Sequence, residues 1–296
     1  MSETTKDEKP RVRPAINFFL TLPRVGTGGK MVAVGIGIVA FLIAMTVLSP
    51  FIAPHDPTQL SVGPPDIGPS LKFPMGTNRL GQDILSRMIA GGPTMMEVAA
   101  LSVVICFLIG VPLGLLAGYS RRMIDSPLSL LMDSLYAFPG LVLAIAIAAV
   151  LGRGVVNLAI AIAVVYIPTY FRVVRSQVLT TKELPFVEAV KVEGGGTFNI
   201  LFRQILPNVL PSIAVIASIN VADSVITEAG LTYLGLGVNV AAPDWGFDIY
   251  YGYQSFLAGA WWTVLFPGLM VVLLAGGFTF IGEGLSEVLS PKLRNR

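Results

Sequence analysis

Charge is what this sequence has least of. Of its 296 residues only 13% are Asp, Glu, Lys or Arg, whereas a soluble domain usually has about 25%. Because 54% of the residues are hydrophobic, a soluble fold of this length would lack the polar surface needed to cover its core. We therefore predict an all-α integral membrane protein. The net charge of +2, with no basic cluster on the apolar blocks, excludes nucleic acid as a partner.

Histidine and cysteine are also scarce, with one residue of each. One cysteine cannot form a disulfide framework, and Cys106 lies in an apolar run, which predicts a small buried side chain. The single histidine, His55, excludes metal sites that need several imidazoles, and no HExxH motif is present. An aspartyl hydrolase would need two facing acids, and Asp133 and Asp223 lie in no sequence that suggests one. We predict that the chain is not an enzyme.

Nucleotide-binding motifs are absent as well. Gly35-x-Gly37-x-x-Ala40 matches a loose dinucleotide fingerprint but lies inside an apolar run with no strand before it. Gly29-Lys30 resembles the end of a phosphate-binding loop without the rest of that motif. We therefore expect no cofactor on this chain, and any ATP-driven work would be done by a partner.

Long apolar stretches dominate what is present. A helix needs about 20 apolar residues to cross the hydrocarbon layer. Six stretches qualify or nearly do: 31–53, 94–119, 128–151, 155–174, 209–230 and 259–283. We predict about six transmembrane helices. The predicted regions are a basic tail (1–30), the first helix with an external segment (31–93), a five-helix core (94–290) and a second tail (291–296).

Basic residues predict the orientation. With the N-terminus in the cytoplasm, sixteen Lys and Arg residues fall on the inner side and four on the outer side. Cytoplasmic loops of membrane proteins carry an excess of these residues. Both termini are therefore predicted to be cytoplasmic, and the long segment 175–208 becomes an inner loop.

Polar residues within the predicted spans have two explanations. Asn220 and Asp223 are three residues apart and share one helical face, and Glu228 lies in the same span. They form a polar wall of a substrate pathway, or they hydrogen bond and fix helix packing. Another span carries three glycines along one side: Gly110, Gly114 and Gly118. They allow two helices to pack closely, or they belong to kinked helices that line a pathway and move between two states.

The predicted inner loop 175–208 contains two short helices joined by three glycines. Gly194 to Gly196 permit the left-handed angles that end a helix, Thr197 is a suitable N-cap for the second helix, and Pro207 marks entry to the next span. The loop also carries an apolar stripe, which either docks in a groove of another protein or packs under its own bundle. The stripe consists of Phe186, Val187, Val190, Phe198 and Leu201.

Part of this loop matches a known motif. The matching residues are Glu188-Ala189, Gly194 and Ile205-Leu206-Pro207. They resemble the "EAA" loop of membrane subunits in binding-protein-dependent ABC importers, where this loop forms a coupling helix in a cleft of the ATPase. Val190 replaces the usual third alanine, and Glu193 precedes the glycine where an apolar residue is common. The resemblance implies that the ATPase-coupling residues are Glu188, Ala189, Gly194, Arg203 and Pro207.

A second set of residues narrows the family. Ala53 to Pro57 reads APHDP, and Met75 to Arg87 reads MGTNRLGQDILSR. These stretches are similar to dipeptide/oligopeptide permeases, with Asn78 and Gln82 in place of the usual Asp and Arg. The single span before the motif resembles the "C" type subunit of that group.

The 75–93 stretch is predicted to lie along the outer membrane face as a short amphipathic helix. Ile84, Leu85 and Met88 would face lipid or protein, and Asp83 and Arg87 would form a pair. Its role would be structural, or it would receive the substrate-binding protein.

The resemblance implies a type I ABC importer permease fold in the cytoplasmic membrane of a bacterium or archaeon. Expected partners are a homologous permease subunit, two ATPases that hold ATP and Mg²⁺, and an extracytoplasmic substrate-binding protein. Expected substrates are dipeptides or oligopeptides, with nickel complexes and sugars left open. The alternative is a stand-alone secondary transporter or channel, which would need internal repeats and a coupling-ion site.

Overall fold

A computed structural model describes residues 26–238 and 243–289, and the long elements of this part are helices. Most of the predicted tail 1–30 and all of 291–296 lie outside the described residues. In chain order the helices are α1 (Gly26–Val47), α2 (Ser49–Ile52), α3 (Ile84–Ala90), α4 (Gly92–Tyr119), α5 (Arg122–Tyr136), α6 (Gly140–Leu151), α7 (Val155–Thr181), α8 (Pro185–Val192), α9 (Thr197–Asn199), a π-helix (Ile200–Ile205), α10 (Leu206–Tyr233), α11 (Trp245–Leu257) and α12 (Trp262–Leu289).

Five helical segments of the described chain are long and apolar enough to span a membrane, or six if one bent pair counts as a span. The predicted number of about six is therefore confirmed, but the predicted span 128–151 is not one helix. It consists of α5 and α6, which meet at an angle of 91°. Pro139 stands at this break, and proline has no amide donor with which to continue the ladder of hydrogen bonds.

Glycines allow α4 and α7 to pack closely along their length. A Cβ added to Gly110 would lie 2.7 Å from the Cβ of Tyr170, and one added to Gly118 would lie 2.7 Å from the Cβ of Val178. At Gly114 the added atom would lie 2.8 Å from the backbone oxygen of Phe171. These glycines therefore serve helix packing, as small residues do in membranes.

The loose fingerprint at Gly35 also serves packing. A Cβ at Gly35 would lie 2.5 Å from the backbone oxygen of Gly277, so α1 and α12 touch backbone to backbone at this level. At a second contact between α1 and α12, a Cβ added to Gly284 would lie 2.6 Å from the backbone oxygen of Gly28. The structure supports the rejection of a nucleotide motif here.

Helix α3 packs against other parts of the chain, so of the two predicted neighbours of its apolar residues, lipid or protein, the structure shows protein for Ile84 and Met88. Ile84 and Met88 belong to a core cluster that also contains Trp245 of α11. The indole Nε1 of Trp245 donates to the backbone oxygen of Met88 at 3.1 Å. The polar residues Ser86 and Arg87 are buried as well, because each has a partner inside the protein.

The predicted pair of Asp83 with Arg87 is wrong. Asp83 caps α3, where its side chain accepts from the backbone N–H and the hydroxyl of Ser86. Arg87 instead donates to Asp248 of α11 at 2.6 Å and to the backbone oxygen of Pro57 at 3.0 Å. The N-cap geometry turns Asp83 back toward its own helix, and Arg87 thereby joins three segments that are distant in sequence.

Candidate functional site

The coupling segment, residues 185–205, begins with α8 and its glycine end. Gly194 has φ +82°, its N–H donates to the oxygen of Lys191, and the N–H of Gly195 donates to the oxygen of Val190. This pattern is the Schellman end of a helix, which needs a left-handed residue where Gly194 stands. The predicted left-handed turn is confirmed, and among the three glycines only Gly194 adopts it.

The second half of the coupling segment differs from the prediction. Gly196 is the N-cap and Thr197 is already the first helical residue, so the predicted N-cap at Thr197 is wrong by one position. A π-helix over 200–205 then runs directly into α10. Pro207 and Pro211 lack amide donors, so a regular α-helical ladder cannot run unbroken through this junction. Short π segments of this kind are frequent at functional sites.

The predicted apolar stripe divides between two faces of the coupling segment. Val187 and Leu201 are buried in a core cluster of this chain, whereas Phe186 is 38% exposed and Phe198 is 73% exposed. The rings of Phe198 and Phe202 lie 4.5 Å apart and form an exposed aromatic pair. Packing under the chain's own bundle is therefore confirmed for Val187 and Leu201, and docking on another protein stays a prediction for the exposed Phe186 and Phe198.

The residues predicted to couple to an ATPase are all exposed on this segment and at its junction with α10. They are Glu188, Ala189, Gly194, Arg203 and Pro207. Because these five residues are exposed, their surfaces are available to another molecule.

A cavity of about 500 Å³, which we call the polar cavity, lies between α5, α6, α7 and α10. Its apolar wall includes Leu135, Phe138 and Val165, and its polar side includes Asn220 and Asp223. Cavities of this size accommodate small ligands. The structure therefore places two of the three predicted pathway residues on one cavity.

The third predicted pathway residue, Glu228, is apart from this cavity. It is fully buried, and one carboxylate oxygen accepts from Thr232 at 2.9 Å. Asp244, which precedes α11, is buried close to it, and burial raises the pKa of Asp244 to about 6. The structure thus puts Glu228 in a buried acidic region at the α11 end of α10.

A groove of about 640 Å³ continues from the polar cavity toward the coupling segment. The two share Ile216, and the groove also includes Asn208 and Ser212 of α10. Together with Asn220 and Asp223 these residues recur every three or four positions along α10 and form one stripe. Sequence reasoning missed Asn208 and Ser212, although polar residues at this spacing in an apolar span are a readable signal.

Helix α5 connects the coupling segment to the polar cavity. Its Met132 shares a buried cluster with Val187 of α8, and Leu135, one turn further on, lines the cavity. Two ion pairs hold α5 against α7: Arg175 contacts both carboxylate oxygens of Asp125 at 2.5 and 2.7 Å. The second pair, Arg172 with Asp133 at 2.8 Å, lies next to the cavity.

Comparison with known proteins identifies similar chains. Residues 110–295 match the family described as "Binding-protein-dependent transport system inner membrane component". The Di/tripeptide transport system permease protein DppC of Pseudomonas aeruginosa is 36% identical over 267 residues, covering 88% of this chain and 88% of that protein. The Dipeptide transport system permease protein DppC of Alkalihalophilus pseudofirmus is 35% identical over 294 residues, covering 99% and 95%.

A solved structure shares the fold. The methionine ABC transporter MetNI, in inward-facing conformations, contains a chain that aligns with a TM-score of 0.54 at 21% identity. The alignment covers 70% of the present chain and 98% of that chain. At this identity the likeness is one of fold.

Proposed function

The chain belongs to the family of binding-protein-dependent transport system inner membrane components, the permease components of ABC importers, and from this premise we propose how it works. It forms half of a translocation pathway, with the polar cavity and its groove as the substrate-facing side. The coupling segment transmits the motion of an ATPase to that pathway. The observation that carries this proposal is the core that α8 shares with α5, whose next turn lines the cavity.

Coupling works through packing. Val187 is fully buried, so a displacement of α8 cannot occur without moving the side chains around it. Met132 and Leu135 of α5 belong to the same core, and the cavity wall moves with them. Closure of the ATPases on ATP thereby switches the access of the cavity between the two sides of the membrane.

The exposed face of the coupling segment is the ATPase-docking surface. Phe186 and Phe198 supply apolar contact area, and Glu188 and Arg203 supply polar contacts beside it. Gly194 sets the angle between the two halves of the segment. Amphipathic helices that lay an apolar face into a groove are a recurring mode of protein recognition.

The proposed assembly contains this chain, a homologous permease subunit, two ATPases that bind ATP and Mg²⁺, and an extracytoplasmic substrate-binding protein. The coupling segment and both termini lie on the cytoplasmic side, supported by the distribution of Lys and Arg in the sequence. The membrane is the cytoplasmic membrane of a bacterium or archaeon. The proposed regions are the tail 1–30, the first helix with its external segment 31–93, the core 94–290 and the tail 291–296.

Dipeptides and short oligopeptides are the proposed substrates. The two relatives above carry dipeptide or di/tripeptide transport in their names, and the second aligns with nearly the whole of this chain. The size of the polar cavity suits a molecule of that kind.

The test is ATP-dependent uptake of a labelled dipeptide by proteoliposomes that contain the assembled importer. Phe198→Ser should lower both uptake and substrate-stimulated ATP hydrolysis at least tenfold, because it removes a largely exposed aromatic contact from the docking surface. Leu257→Ser is the matched control, since Leu257 is 68% exposed on α11 near the other end of α10. Full activity of the Phe198 variant, or equal loss in the control, would contradict the assignment of the docking surface.

A further inference from the structure

Asn220 is a buried amide without a partner. It is 5% exposed, and neither its side-chain oxygen nor its nitrogen has a hydrogen-bond partner among the residues that the structure describes. Nearly all buried polar groups in proteins are paired with protein or ordered water, so an unpaired one calls for an explanation. Asn220 lines the polar cavity, but its two polar atoms are closed off from solvent in this conformation, so a ligand there would pair with them only after the side chain turns toward the cavity.

The cavity lining contains one acidic side chain. Among the described residues that line it, Asp223 is the one with a formal charge, and it lies one turn from Asn220. The nearest cation on α7, Arg172, is already bound to Asp133 at 2.8 Å and stacked 3.9 Å from the ring centre of Tyr136. Among the described residues no Lys, Arg or His forms an ion pair with Asp223, so an ionised Asp223 would be free to pair with a cation in the cavity.

We propose that the polar cavity recognises a primary ammonium group, such as the free amino terminus of a peptide. This inference rests on the proposed function and names the chemical feature that the pathway selects. The carboxylate of Asp223 and the side-chain oxygen of Asn220 accept hydrogen bonds from the ammonium, which has three N–H donors to share. Phe138 and Ile219 on the apolar wall of the cavity contact the side chain of the peptide residue that carries the ammonium.

The number of oxygens in the cavity argues against a metal cargo bound directly. Hard divalent cations such as Ca²⁺ take six to eight oxygen ligands, mostly carboxylates and carbonyls, and the cavity lining offers one carboxylate, one amide and the hydroxyls of Tyr136, Tyr166 and Thr169. Within residues 26–238 and 243–289, no group of three or more His, Cys, Asp or Glu side chains is arranged to hold a metal ion.

Thiol chemistry tests the charge of the cavity without any transport assay. In a Cys106→Ala background the sequence has no other cysteine, so Thr169→Cys places a single thiol in the cavity lining. A cationic methanethiosulfonate should modify it about tenfold faster than an anionic one, given one charge several ångströms away in a partly aqueous site. Adding Asp223→Asn should lower the ratio of the two rates to the ratio found for a free thiol in solution, where the thiolate alone sets the preference.

Ser212→Cys is the control thiol. Ser212 lies in the groove about 16 Å along α10 from Asp223 by helical rise, well beyond the screening length in physiological salt. Its rate ratio should not respond to Asp223→Asn. Equal rates at Thr169→Cys with Asp223 intact, or a ratio that survives Asp223→Asn, would overturn the inference.

Uptake by the assembled importer tests recognition itself. Asp223→Asn should lower ATP-dependent uptake of Ala-Ala about tenfold while the binding protein retains its affinity, and Asp223→Glu should restore part of it. If the parent takes up Ala-Ala and Asp223→Asn takes it up equally well, the ammonium site is refuted and the proposed function stands. If the parent shows no ATP-dependent uptake, the proposed function fails, and the thiol rates still decide the charge of the cavity.

Discussion

Replacing Gly194 by Ala perturbs the coupling segment at a single backbone angle. Gly194 has φ +82°, and no neighbouring atom lies within 4 Å of where an added Cβ would stand. The substitution therefore creates no collision, and its whole effect comes from forcing an L-residue into the left-handed region. Gly196 is the matched control, because it too has open space around an added Cβ and its φ is −68°.

The expected magnitude follows from that angle. A left-handed conformation costs a non-glycine residue roughly 1–2 kcal/mol, which lowers the equilibrium constant for forming the native turn by about 5- to 30-fold. If the ATPase binds only that turn, its apparent affinity for the permease should fall by up to that factor. Gly196→Ala should change this affinity less than Gly194→Ala does, because a φ of −68° suits an L-residue and only the N-cap preference for glycine is lost. Gly194→Asn should be milder than Gly194→Ala because Asn tolerates the left-handed region.

The assay is titration of the purified ATPase onto the permease in nanodiscs, followed by substrate-stimulated ATP hydrolysis. Membrane insertion and thermal melting of the permease should be unchanged in both alanine variants, since residues 194 and 196 are outside the core. Equal affinity for the Gly194→Ala and Gly196→Ala proteins would refute the reasoning that the left-handed turn positions the docking surface.

Three further predictions concern the part of the protein around α3 and α11. Each is tested by the melting temperature of the purified protein in detergent. Arg87→Met leaves Asp248 buried without its partner and should lower the free energy of unfolding by about 3–5 kcal/mol. Adding Asp248→Asn should recover part of this loss. An unchanged melting temperature would show that the 2.6 Å ion pair does not stabilise the protein. Trp245→Phe removes the donor to the Met88 oxygen and should cost about 1–3 kcal/mol, whereas a loss below the error of melting would contradict that bond. Burial raises the pKa of Asp244 from 3.8 to about 6, so its contribution to stability is full below about pH 4 and is lost as pH rises through 6, up to about 3 kcal/mol. Asp244→Asn should flatten the slope of melting temperature against pH, and an unaltered slope would argue against the raised pKa.

Much of the fold was predictable because its signals are local. Apolar runs of about 20 residues identify spans, and the predicted count of about six agrees with the described helices when the bent pair is counted once. The prediction of a dipeptide-type ABC permease was confirmed by relatives that align with 88–99% of the chain. Three consecutive glycines likewise predicted the turn after α8, which residues 190–195 form by their own hydrogen bonds.

Errors arose where a partner distant in sequence decides the outcome. Asp83 and Arg87 are correctly spaced for a helical pair, yet Asp248 lies 161 positions beyond Arg87 and binds it instead. Hydropathy alone could not show that α3 is buried, because Trp245 and its neighbours cover it. The break between α5 and α6 was missed since one proline in an apolar run predicts a bend but not its angle.

The membrane environment, the number of spans, the lack of a recognisable nucleotide motif and the family were all readable from the amino acids, because each depends on composition or on residues close together in the chain. The grouping of Asn220 and Asp223 on one cavity, apart from Glu228, became visible when the helices were packed together. Helix packing also decided that Val187 joins the core of α5 while Phe198 remains exposed. The physical reason is that a helical face acquires a role from what packs against it, and that neighbour comes from another part of the chain.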